Sequence, residues 1–413
     1  ISAYYHESSI FLTDGININC FIKEEYFTRI KGDKSFPKRS LEFLKRKYSL
    51  NESNIKSVCF YEKPFKSWWE IFIYSIKKPL ENKKLLTHHL KNFNTGSIFF
   101  YTHLNKVIKI SKDKILYSSH HLSHCLYGSL YVDNIDDYAF VSCDGVGEGE
   151  TMTIYTIDSE NLIKKHWTNF YPNSIGLFYS TITDFLGFDI NEGEFKVMSL
   201  SSYGNPIYEK EMDEIFDCEE LKINSSYFEF QKNPERSFSE MLIKIFGKPY
   251  LNLSIKENFQ KYSNIASSAQ LILKKSVKNL ILKAKQLTGK NKIVLTGGVA
   301  LNCKMIHELS KENIFEELIV PPSPGDSGSA IGAANFSYFY ENNEFLKDIG
   351  LFPGPDKDEV NEKFQLNEFF KKISHQENCL EIASELIIKG HILTTYIDKT
   401  ETGPRALGNT SII

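Results

Sequence analysis

The sequence contains no run of about 18 apolar residues, the length that a membrane-spanning helix requires, so we expect no transmembrane segment and no membrane partner. Its first residues lack the basic start and apolar core of a secretory signal peptide. No CxxC pair is present, and the 7 cysteines are scattered and odd in number, which argues against a disulfide framework or a zinc knuckle. These absences predict a protein of the reducing cytoplasm.

There is also little net charge, because 49 basic residues nearly balance 52 acidic ones and leave a formal charge of −3. Overall charge therefore does not favour a polyanion, and we expect no nucleic-acid partner. Aromatic residues make up 14% of the chain, far more than a disordered protein carries. With roughly 100–200 residues in a typical domain, the length predicts two or three domains or one duplicated core.

Buried strands that end in glycine-rich turns recur along the chain. Asp14-Gly15 joins two apolar runs and predicts a β-hairpin. Tyr138–Asp144 predicts a strand that ends in an acid, and Lys292–Leu295 predicts one that ends before Gly297-Gly298. We expect helices at 38–49, 175–186, 256–287, from 299, at 327–340 and at 377–389, and further strands at 56–61, 114–118, 151–157, 318–320 and 391–397. This alternation predicts an α/β fold with a mixed sheet.

The last part of the chain differs in character. Residues 341–376 are charged and contain Pro353-Gly354-Pro355, so we expect a linker and a domain boundary near 345. The chain opens on Ile1 and stops after Ile413, and we take both ends as boundaries of this piece of sequence. Residues 207–255 are polar and show no clear periodicity, which predicts an irregular insertion.

A histidine cluster at 120–124 carries the clearest metal signal. On a helix, His120 and His124 lie four residues apart and share one face, where two imidazoles can hold one divalent ion. Asp144 and Asp326 each follow a predicted strand and offer carboxylates for the same ion. The alternatives remain open: a polar surface turn for the histidines, a solvated hairpin acid for Asp144, and a helix cap for Asp326.

Glycine-rich turns mark a candidate phosphate site. Gly145 and Gly147 follow Asp144, and glycines there let backbone amides approach a phosphate. Gly297-Gly298 follows a buried strand and opens a helix that includes Asn302, an arrangement that suits a nucleotide phosphate or serves as a plain strand-to-helix turn. Glu194 and Lys196 form either part of a site or a solvated turn.

Eight segments in order closely resemble the O-carbamoyltransferase family of nodulation-factor and antibiotic-tailoring enzymes. They are HESS at 6–9, EEYFTRIK at 24–31, HHLSH at 120–124, DGVGE at 144–148, GEFKVMSLSSYG at 193–204, LTGGVALNC at 295–303, PPSPGDSGSAIGAA at 321–334 and TGPRALGN at 402–409. The resemblance spans nearly the whole chain and is weakest in 66–107 and 207–255.

The resemblance implies a domain organisation. Residues 1–345 are expected to form a duplicated core of the actin/hexokinase-like ATPase type, similar to the enzymes that place threonylcarbamoyl on tRNA. Residues 346–413 are expected to be a linker and the incomplete start of an α/β domain that converts carbamoyl phosphate and ATP, with Mg²⁺, to carbamoyl-adenylate. Because roughly 65 residues are too few for a second domain with its own active site, a polypeptide of only these 413 residues is expected not to make carbamoyl-adenylate.

The resemblance also implies a chemistry, in which carbamoyl-adenylate gives its carbamoyl group to a hydroxyl of a small molecule or sugar and AMP leaves. The implied metal, Fe²⁺ or another divalent ion, has His120, His124, Asp144 and Asp326 as ligands. The implied catalytic residues are His6, as the base, with His120, His124, Asp144 and Lys196. The implied nucleotide-binding residues are Gly145, Gly147, Glu194, Gly297, Gly298, Asn302 and Arg405. Two imidazoles and two carboxylates suit divalent iron, and a homodimer is compatible with the sequence.

Four positions depart from the family pattern, and the first is Glu7, which stands where the family has an aspartate. Tyr26 and Thr410 stand where the family has arginines, and Gly32 stands where it has a histidine. Losing cations near phosphate-handling sites leaves open a degenerate, non-catalytic nucleotide-binding scaffold. A transferase of the tRNA threonylcarbamoyladenosine type is a further alternative, since it shares the HxxxH pattern and the metal acid. The near-neutral charge and the DGVGE and GPRALG segments argue against it.

Overall fold

The structure is a computed structural model, and it describes residues 1–413 except 17–18, 78–79, 92–95, 250–254, 348, 357–377 and 406–407. The strands are β1 (Ser9–Thr13), β2 (Asn19–Lys23), β3 (Val58–Phe60), β4 (Ile115–Tyr117), β5 (Tyr138–Gly147), β6 (Glu150–Ile157), β7 (Ile163–Phe170), β8 (Phe216–Asp217), β9 (Lys222–Ile223), β10 (Lys292–Thr296), β11 (Glu317–Ile319), β12 (Thr394–Tyr396) and β13 (Thr410–Ile412). The helices are α1 (Glu25–Thr28), α2 (Lys38–Lys47), α3 (Pro64–Lys77), α4 (Lys83–Lys91), α5 (Phe100–Val107), α6 (His120–Gly128), α7 (Ile175–Phe185), α8 (Glu194–Leu200), α9 (Glu209–Ile215), α10 (Glu240–Phe246), α11 (Ile255–Thr288), α12 (Cys303–Ser310), α13 (Asp326–Asn342) and α14 (Cys379–Ile388). Among the residues described, no helix has the length and apolar character needed to cross a membrane.

A five-stranded mixed sheet forms the centre of the fold, in the order β11-β10-β5-β6-β7. Strands β11, β10 and β5 are parallel, while β5, β6 and β7 are antiparallel. Residues Ala139 and Val141 face one core and Tyr138 and Phe140 face another, so both faces of β5 are covered. This double burial explains the continuous apolar run of β5, and the predicted α/β class with a mixed sheet is confirmed.

A smaller N-terminal lobe consists of the hairpin β1–β2, the parallel pair β3–β4 and the helices α2 and α5. Its core includes Leu44, Phe60 and Phe100, and the rings of the two phenylalanines lie 4.3 Å apart between centroids. Helix α13 packs against β1 and β3 of this lobe and also against α6, which in turn packs on β5 and β10. The α6–α13 pair therefore connects the N-terminal lobe with the central sheet.

The parallel strands bring three loop segments to one edge of the sheet. Thr296 of β10 pairs with Ser142 of β5, so Gly298 and Asp144 each lie two residues beyond a register pair. The backbone N–H of Gly297 donates to the carbonyl of Pro324 at 2.8 Å, which draws in the segment before α13. Ligand sites in open α/β sheets form where the carboxyl ends of parallel strands meet, and this edge is such a place.

Two expectations from the sequence are wrong in detail. Residues 207–255 contain α9, α10 and the pair β8–β9 within the described part, and not an irregular insertion. These elements are too short to show periodicity, although Met212, Ile215 and Phe246 are buried in the main core. The helix expected from Val299 starts at Cys303, because Gly298–Leu301 forms a 3₁₀ turn first.

The C-terminal segment was expected to contain a linker, a helix and a strand. The helix is α14 and the strand is β12, which pairs with β13. Much of the expected linker falls in 357–377, outside the described residues. The domain boundary near 345 stays a prediction.

Candidate metal and nucleotide site

Helix α6 places His120 and His124 side by side. The Nε2 atoms of the two rings lie 3.2 Å apart, and the side chains are almost fully buried, at 3% and 0% exposure. The helix that the HxxxH pattern predicts is therefore present, and both imidazoles point to one spot. A polar surface turn is excluded by their burial.

Asp144 and Asp326 complete a four-residue cluster, which we call the candidate metal centre. Oδ2 of Asp144 lies 3.2 Å from Nε2 of His120 and 3.0 Å from Nε2 of His124. Oδ1 of Asp326 lies 3.6 and 3.5 Å from the same two nitrogens. The four ligand atoms all lie within 4.8 Å of one another. Donors bound about 2 Å from one ion lie about 3–4 Å apart, so the spacing and the donor types fit a divalent metal.

Asp326 does not cap the helix that it opens. The N-cap of α13 is Gly325, and no side-chain hydrogen bond caps this end. The carboxylate of Asp326 is instead buried at 6% exposure and points to the two imidazoles. The capping alternative considered from the sequence is therefore not what the structure contains.

Hydrogen bonds hold the two histidines in place. Oε1 of Glu148 accepts from the backbone N–H groups of His120 at 3.0 Å and Lys63 at 2.8 Å. Ser329 Oγ lies 3.1 Å from Nδ1 of His124, which leaves Nε2 of that ring facing the cluster. Nδ1 of His120 is buried and has no hydrogen-bond partner in the described part of the chain. The sequence patterns missed Glu148 and Ser329, because both act through contacts distant in sequence.

The charges of the cluster stabilise one another in the absence of an ion. Burial by itself would raise the pKa of Asp144, but hydrogen bonds from His120 and His124 outweigh it and hold that pKa well below its usual range. Burial would lower the pKa of His120, yet its contacts with Asp144 and Asp326 raise it to about 9. The pKa of His124 is also raised, against burial, by its hydrogen bonds to the two carboxylates.

The predicted nucleotide segment lies directly beside this cluster. Gly297 has a φ of +90°, and a Cβ there would overlap the carbonyl of Cys143. A Cβ on Gly298 would lie 2.9 Å from Oδ1 of Asp144. Asn302 caps α12 by accepting from the N–H of Met305 at 3.0 Å, a structural role.

The other predicted nucleotide residues lie in two places. Glu194 opens α8 and accepts from the hydroxyl of Ser180 at 2.7 Å. Lys196 lies over the rings of Phe188 and Phe195, at 5.6 and 5.8 Å, and borders a cavity of about 320 Å³. Arg405 Nη2 donates to the carbonyl of Leu301 at 3.4 Å, next to the Gly297-Gly298 turn. Arg405 lies beside the turn, while Glu194 and Lys196 lie on α8, and the roles of all three in nucleotide binding stay predictions.

Gly145, Gly147 and His6 occupy different positions around the cluster. A Cβ on Gly147 would overlap the ring of His120, whereas one on Gly145 would lie 3.6 Å from the hydroxyl of Tyr5. His6 lies beside Gly32, with its Cε1 3.1 Å from where a Gly32 Cβ would be. His6 is not one of the four clustered residues, and its role as a base stays a prediction.

Comparison with solved structures finds an activator of 2-hydroxyisocaproyl-CoA dehydratase from Clostridium difficile with bound ADPNP, at 16% identity and a TM-score of 0.42. That match covers 84% of this chain and 96% of the other chain. The likeness is too low to support an argument about function. The more specific expectation of a duplicated actin/hexokinase-like core is supported by the family resemblance and not by this structural match.

Several curated proteins are similar in sequence. The nodulation protein NolNO of Sinorhizobium fredii is 26% identical over 428 residues, which cover 100% of this chain and 58% of that protein. An uncharacterized protein of Synechocystis is 28% identical and covers 100% of this chain and 70% of its own length. An uncharacterized protein of Methanocaldococcus jannaschii is 29% identical, with 91% and 63% covered. The chain thus spans about 58 to 71% of the length of such relatives.

A family model described as the carbamoyltransferase N-terminus matches residues 1–335. The match includes all four residues of the candidate metal centre and the Gly297-Gly298 turn. It covers most of the chain, in agreement with the resemblance seen in the eight ordered segments. The chain therefore belongs to the carbamoyltransferase family, and residues 1–335 match the N-terminal part that this family model describes.

Proposed function

We propose that this chain carries the carbamoyl-transfer site of an O-carbamoyltransferase. In the proposed reaction, the carbamoyl group of carbamoyl-adenylate, made from carbamoyl phosphate and ATP, passes to a hydroxyl of a small molecule or sugar, and AMP leaves. The observation that carries the proposal is the buried His120, His124, Asp144 and Asp326 cluster beside a glycine turn. Family membership supplies the reaction class.

The residues of the candidate metal centre suit Fe²⁺ or another borderline divalent ion. Two neutral imidazoles and two carboxylates offer four donors for one such ion. A bound ion there would polarise the carbamoyl carbonyl and favour ionisation of a nearby hydroxyl. Ser329 holds the imidazole of His124 so that its Nε2 stays available, and Glu148 fixes the backbone of His120 at the start of α6.

The proposed nucleotide position follows from the glycine turn. Gly297 is buried against the backbone of Cys143, whereas Gly298 is half-buried and a Cβ there would lie 2.9 Å from Oδ1 of Asp144, so we assign the phosphate to the surface at Gly298. A phosphate seated on this surface lies next to the metal centre, as transfer from an adenylate requires. Lys196 borders the aromatic cavity of α8, Glu194 opens the same helix, and we assign both to the nucleoside portion of the ligand.

We assign carbamoyl transfer to residues 1–345 and the beginning of the adenylate-forming part to 346–413. Thr402 is fully buried, and Gly403 packs against Pro322 so closely that a Cβ would overlap its carbonyl. Together with the contact of Arg405 to Leu301, these contacts support a position of residues 402–405 beside the proposed nucleotide turn. Carbamoyl transfer and carbamoyl-adenylate formation would then use adjacent nucleotide-binding surfaces.

Mass spectrometry of acceptors tests the proposal. The purified chain, loaded with Fe²⁺, is incubated with synthetic carbamoyl-adenylate and a panel of sugars and aminocyclitols. We expect a mass gain of one carbamoyl group on an acceptor and stoichiometric release of AMP. The Asp144→Asn variant is the control, and equal transfer by that variant would contradict the assignment.

A further inference from the structure

A lysine is buried in the N-terminal lobe between two carboxylates. Lys23 is the last residue of β2, and its side chain is only 2% exposed. Its Nζ lies 3.7 Å from Oε2 of Glu7 and 3.7 Å from Oε1 of Glu25. Burial would lower the pKa of Lys23, but its interactions with neighbours, Glu7 first, outweigh burial and raise it. A buried charge is stable only when it is paired, so the two carboxylates hold the ammonium group here.

Glu7 connects this lysine with the start of α13. Its Oε2 accepts from the hydroxyl of Ser327 at 3.0 Å, and Ser327 directly follows Asp326 of the candidate metal centre. The hydroxyl of Ser9 donates to the backbone carbonyl of Ser327 at 2.8 Å, so the HESS segment holds this residue at two points. Lys23 and Asp326 are therefore connected through Glu7 and Ser327.

The backbone of Glu7 is strained. Its φ is +44°, in the left-handed region that residues with a side chain adopt at a cost. Such a conformation persists where surrounding contacts determine it, and the contacts of the carboxylate with Lys23 and Ser327 do so here. Removing the ammonium group would take away one of these contacts and allow the carboxylate to turn away from Ser327.

The second carboxylate, Glu25, holds a turn beside His6. Oε2 of Glu25 accepts from the backbone N–H of Gly32 at 2.8 Å. Cε1 of His6 lies 3.1 Å from where a Cβ on Gly32 would be, so this turn packs against the imidazole. Lys23 thus pairs with the carboxylates that support both the start of α13 and the turn at His6.

Two departures from the family pattern meet at Lys23. Glu7 stands where the family has an aspartate, and Tyr26 stands where it has an arginine. Burial raises the pKa of Tyr26 and the charge of Lys23 opposes that rise, so the two side chains share one environment. An arginine at position 26 would bring a guanidinium group into the same environment. In this chain, the cation there comes from position 23.

We infer that Lys23 is a positioning residue for the candidate metal centre, and that it takes the place of the arginine that the family has at position 26. Lys23 holds the carboxylate of Glu7, Glu7 holds Ser327, and Ser327 keeps Asp326 facing the imidazoles. The inference rests on the metal site of the proposed function. It also means that the loss of this arginine is compensated and does not indicate a degenerate scaffold.

Co²⁺ binding to the full chain tests this inference without any carbamoyl donor. Competitive titration with a chelator gives the affinity, and visible absorption reports on the ligands of the ion. Lys23→Met should lower Co²⁺ affinity at least about fivefold and change the absorption spectrum in the same direction as Asp326→Asn. Adding Tyr26→Arg to Lys23→Met should restore the affinity to within about twofold of the parent chain, because arginine readily forms buried ion pairs.

Matched variants separate positioning from a general effect on the fold. Lys275→Met removes another lysine that lies between two carboxylates, with Nζ 2.7 Å from Glu209 and 3.3 Å from Asp213, and it should leave Co²⁺ affinity unchanged. Ser327→Ala removes the hydroxyl link and should lower the affinity about as much as Lys23→Met, while the double variant should lower it no further. Ser327→Ala keeps the test decisive even if Lys23→Met does not fold.

The outcomes distinguish this inference from the proposed function. Unchanged Co²⁺ affinity in folded Lys23→Met or folded Ser327→Ala overturns the inference and leaves the proposed function standing. A loss of affinity that Tyr26→Arg does not restore overturns the assignment of the arginine's role to Lys23. Lower affinity with restoration, in a chain that shows no transfer in the separate carbamoyl-transfer assay, supports the inference and contradicts the proposed function. A parent chain that binds no Co²⁺ overturns both.

Discussion

Gly147 lies against the imidazole of His120 so closely that a Cβ on this glycine would overlap the ring. Gly145, two residues earlier in β5, has room, since its Cβ would lie 3.6 Å from the nearest atom. The sequence predicts that both glycines let the backbone approach a phosphate. The structure shows that Gly147 also makes space for a residue of the candidate metal centre.

Replacing Gly147 with alanine should therefore displace the His120 ring and reduce metal binding. His120 is almost fully buried, and moving its ring would break its contacts with Asp144 and Asp326. We expect Gly147→Ala to lower metal affinity by about tenfold or more, measured by mass-spectrometric metal analysis after dialysis at a fixed free metal concentration. Gly145→Ala is the control and should retain the metal content of the parent chain. Equal metal content in both variants would contradict this role of Gly147.

The His124→Ala variant tests the candidate metal centre directly. Removing one of four donors should reduce the bound metal from about one ion per chain to a small fraction of that, and should abolish carbamoyl transfer. His166→Ala removes a half-buried histidine of β7 outside the cluster and should change neither. Circular dichroism of both variants should match the parent. Full metal content in a folded His124→Ala chain would show that the ion binds elsewhere.

Metal affinity should rise with pH. In the metal-free cluster the pKa of His120 is raised to about 9, so its ring carries a proton at neutral pH, while a metal ligand must be neutral. Metal therefore displaces that proton, and apparent affinity for Co²⁺ should increase up to roughly tenfold per pH unit between about pH 6 and 9. Competitive titration with a chelator of known pH dependence measures this. A flat profile would show that neither histidine is protonated before the metal binds.

Glu148 should support the metal centre without being a ligand. Glu148→Ala leaves the buried N–H groups of His120 and Lys63 without their acceptor, which should lower the free energy of unfolding by about 1–3 kcal/mol. Metal affinity should fall as the start of α6 loosens. Glu148→Gln keeps an acceptor oxygen and should retain most of the stability, measured by urea unfolding. A greater loss in the glutamine variant would argue against this hydrogen-bonding role.

Gly298→Ala tests the nucleotide turn. Its Cβ would lie 2.9 Å from Oδ1 of Asp144 and would fill the surface proposed for the phosphate. We expect binding of a fluorescent ATP analogue to weaken by about tenfold, with a smaller effect on folding. Gly325→Ala serves as the neighbouring control, because its Cβ would meet nothing closer than 3.6 Å. Unchanged nucleotide affinity in folded Gly298→Ala would place the phosphate elsewhere.

Local patterns were sufficient to predict the α/β class and the helix that bears His120 and His124. Both depend on periodicity and on residues close in sequence. The mixed sheet followed from apolar strands that alternate with helices. It could also be predicted that Asp144 lies on a strand and that Asp326 opens a helix. The strand continues past Asp144 to Gly147, however, and the approach of both acids to the histidines depended on the family resemblance.

Contacts between distant residues could not be predicted in the same way. No pattern in the sequence indicates a role for Glu148, and its bond to His120 exists only because the β5–β6 turn folds over α6. Glu7 and Ser327 are 320 positions apart in the chain and share a hydrogen bond, which no periodic signal encodes. The short elements within 207–255 were missed because two-residue strands carry no alternation to detect.

The position of α13 has a mechanical consequence. Its first residue, Asp326, faces the imidazoles of α6, while its body packs on β1 and β3 of the N-terminal lobe. Asp144 belongs to the central sheet. An ion held between these two carboxylates would link the N-terminal lobe to the central sheet. Removing the ion with a chelator should then increase proteolytic cleavage where the lobe meets the sheet, even if the rest of the fold is unchanged.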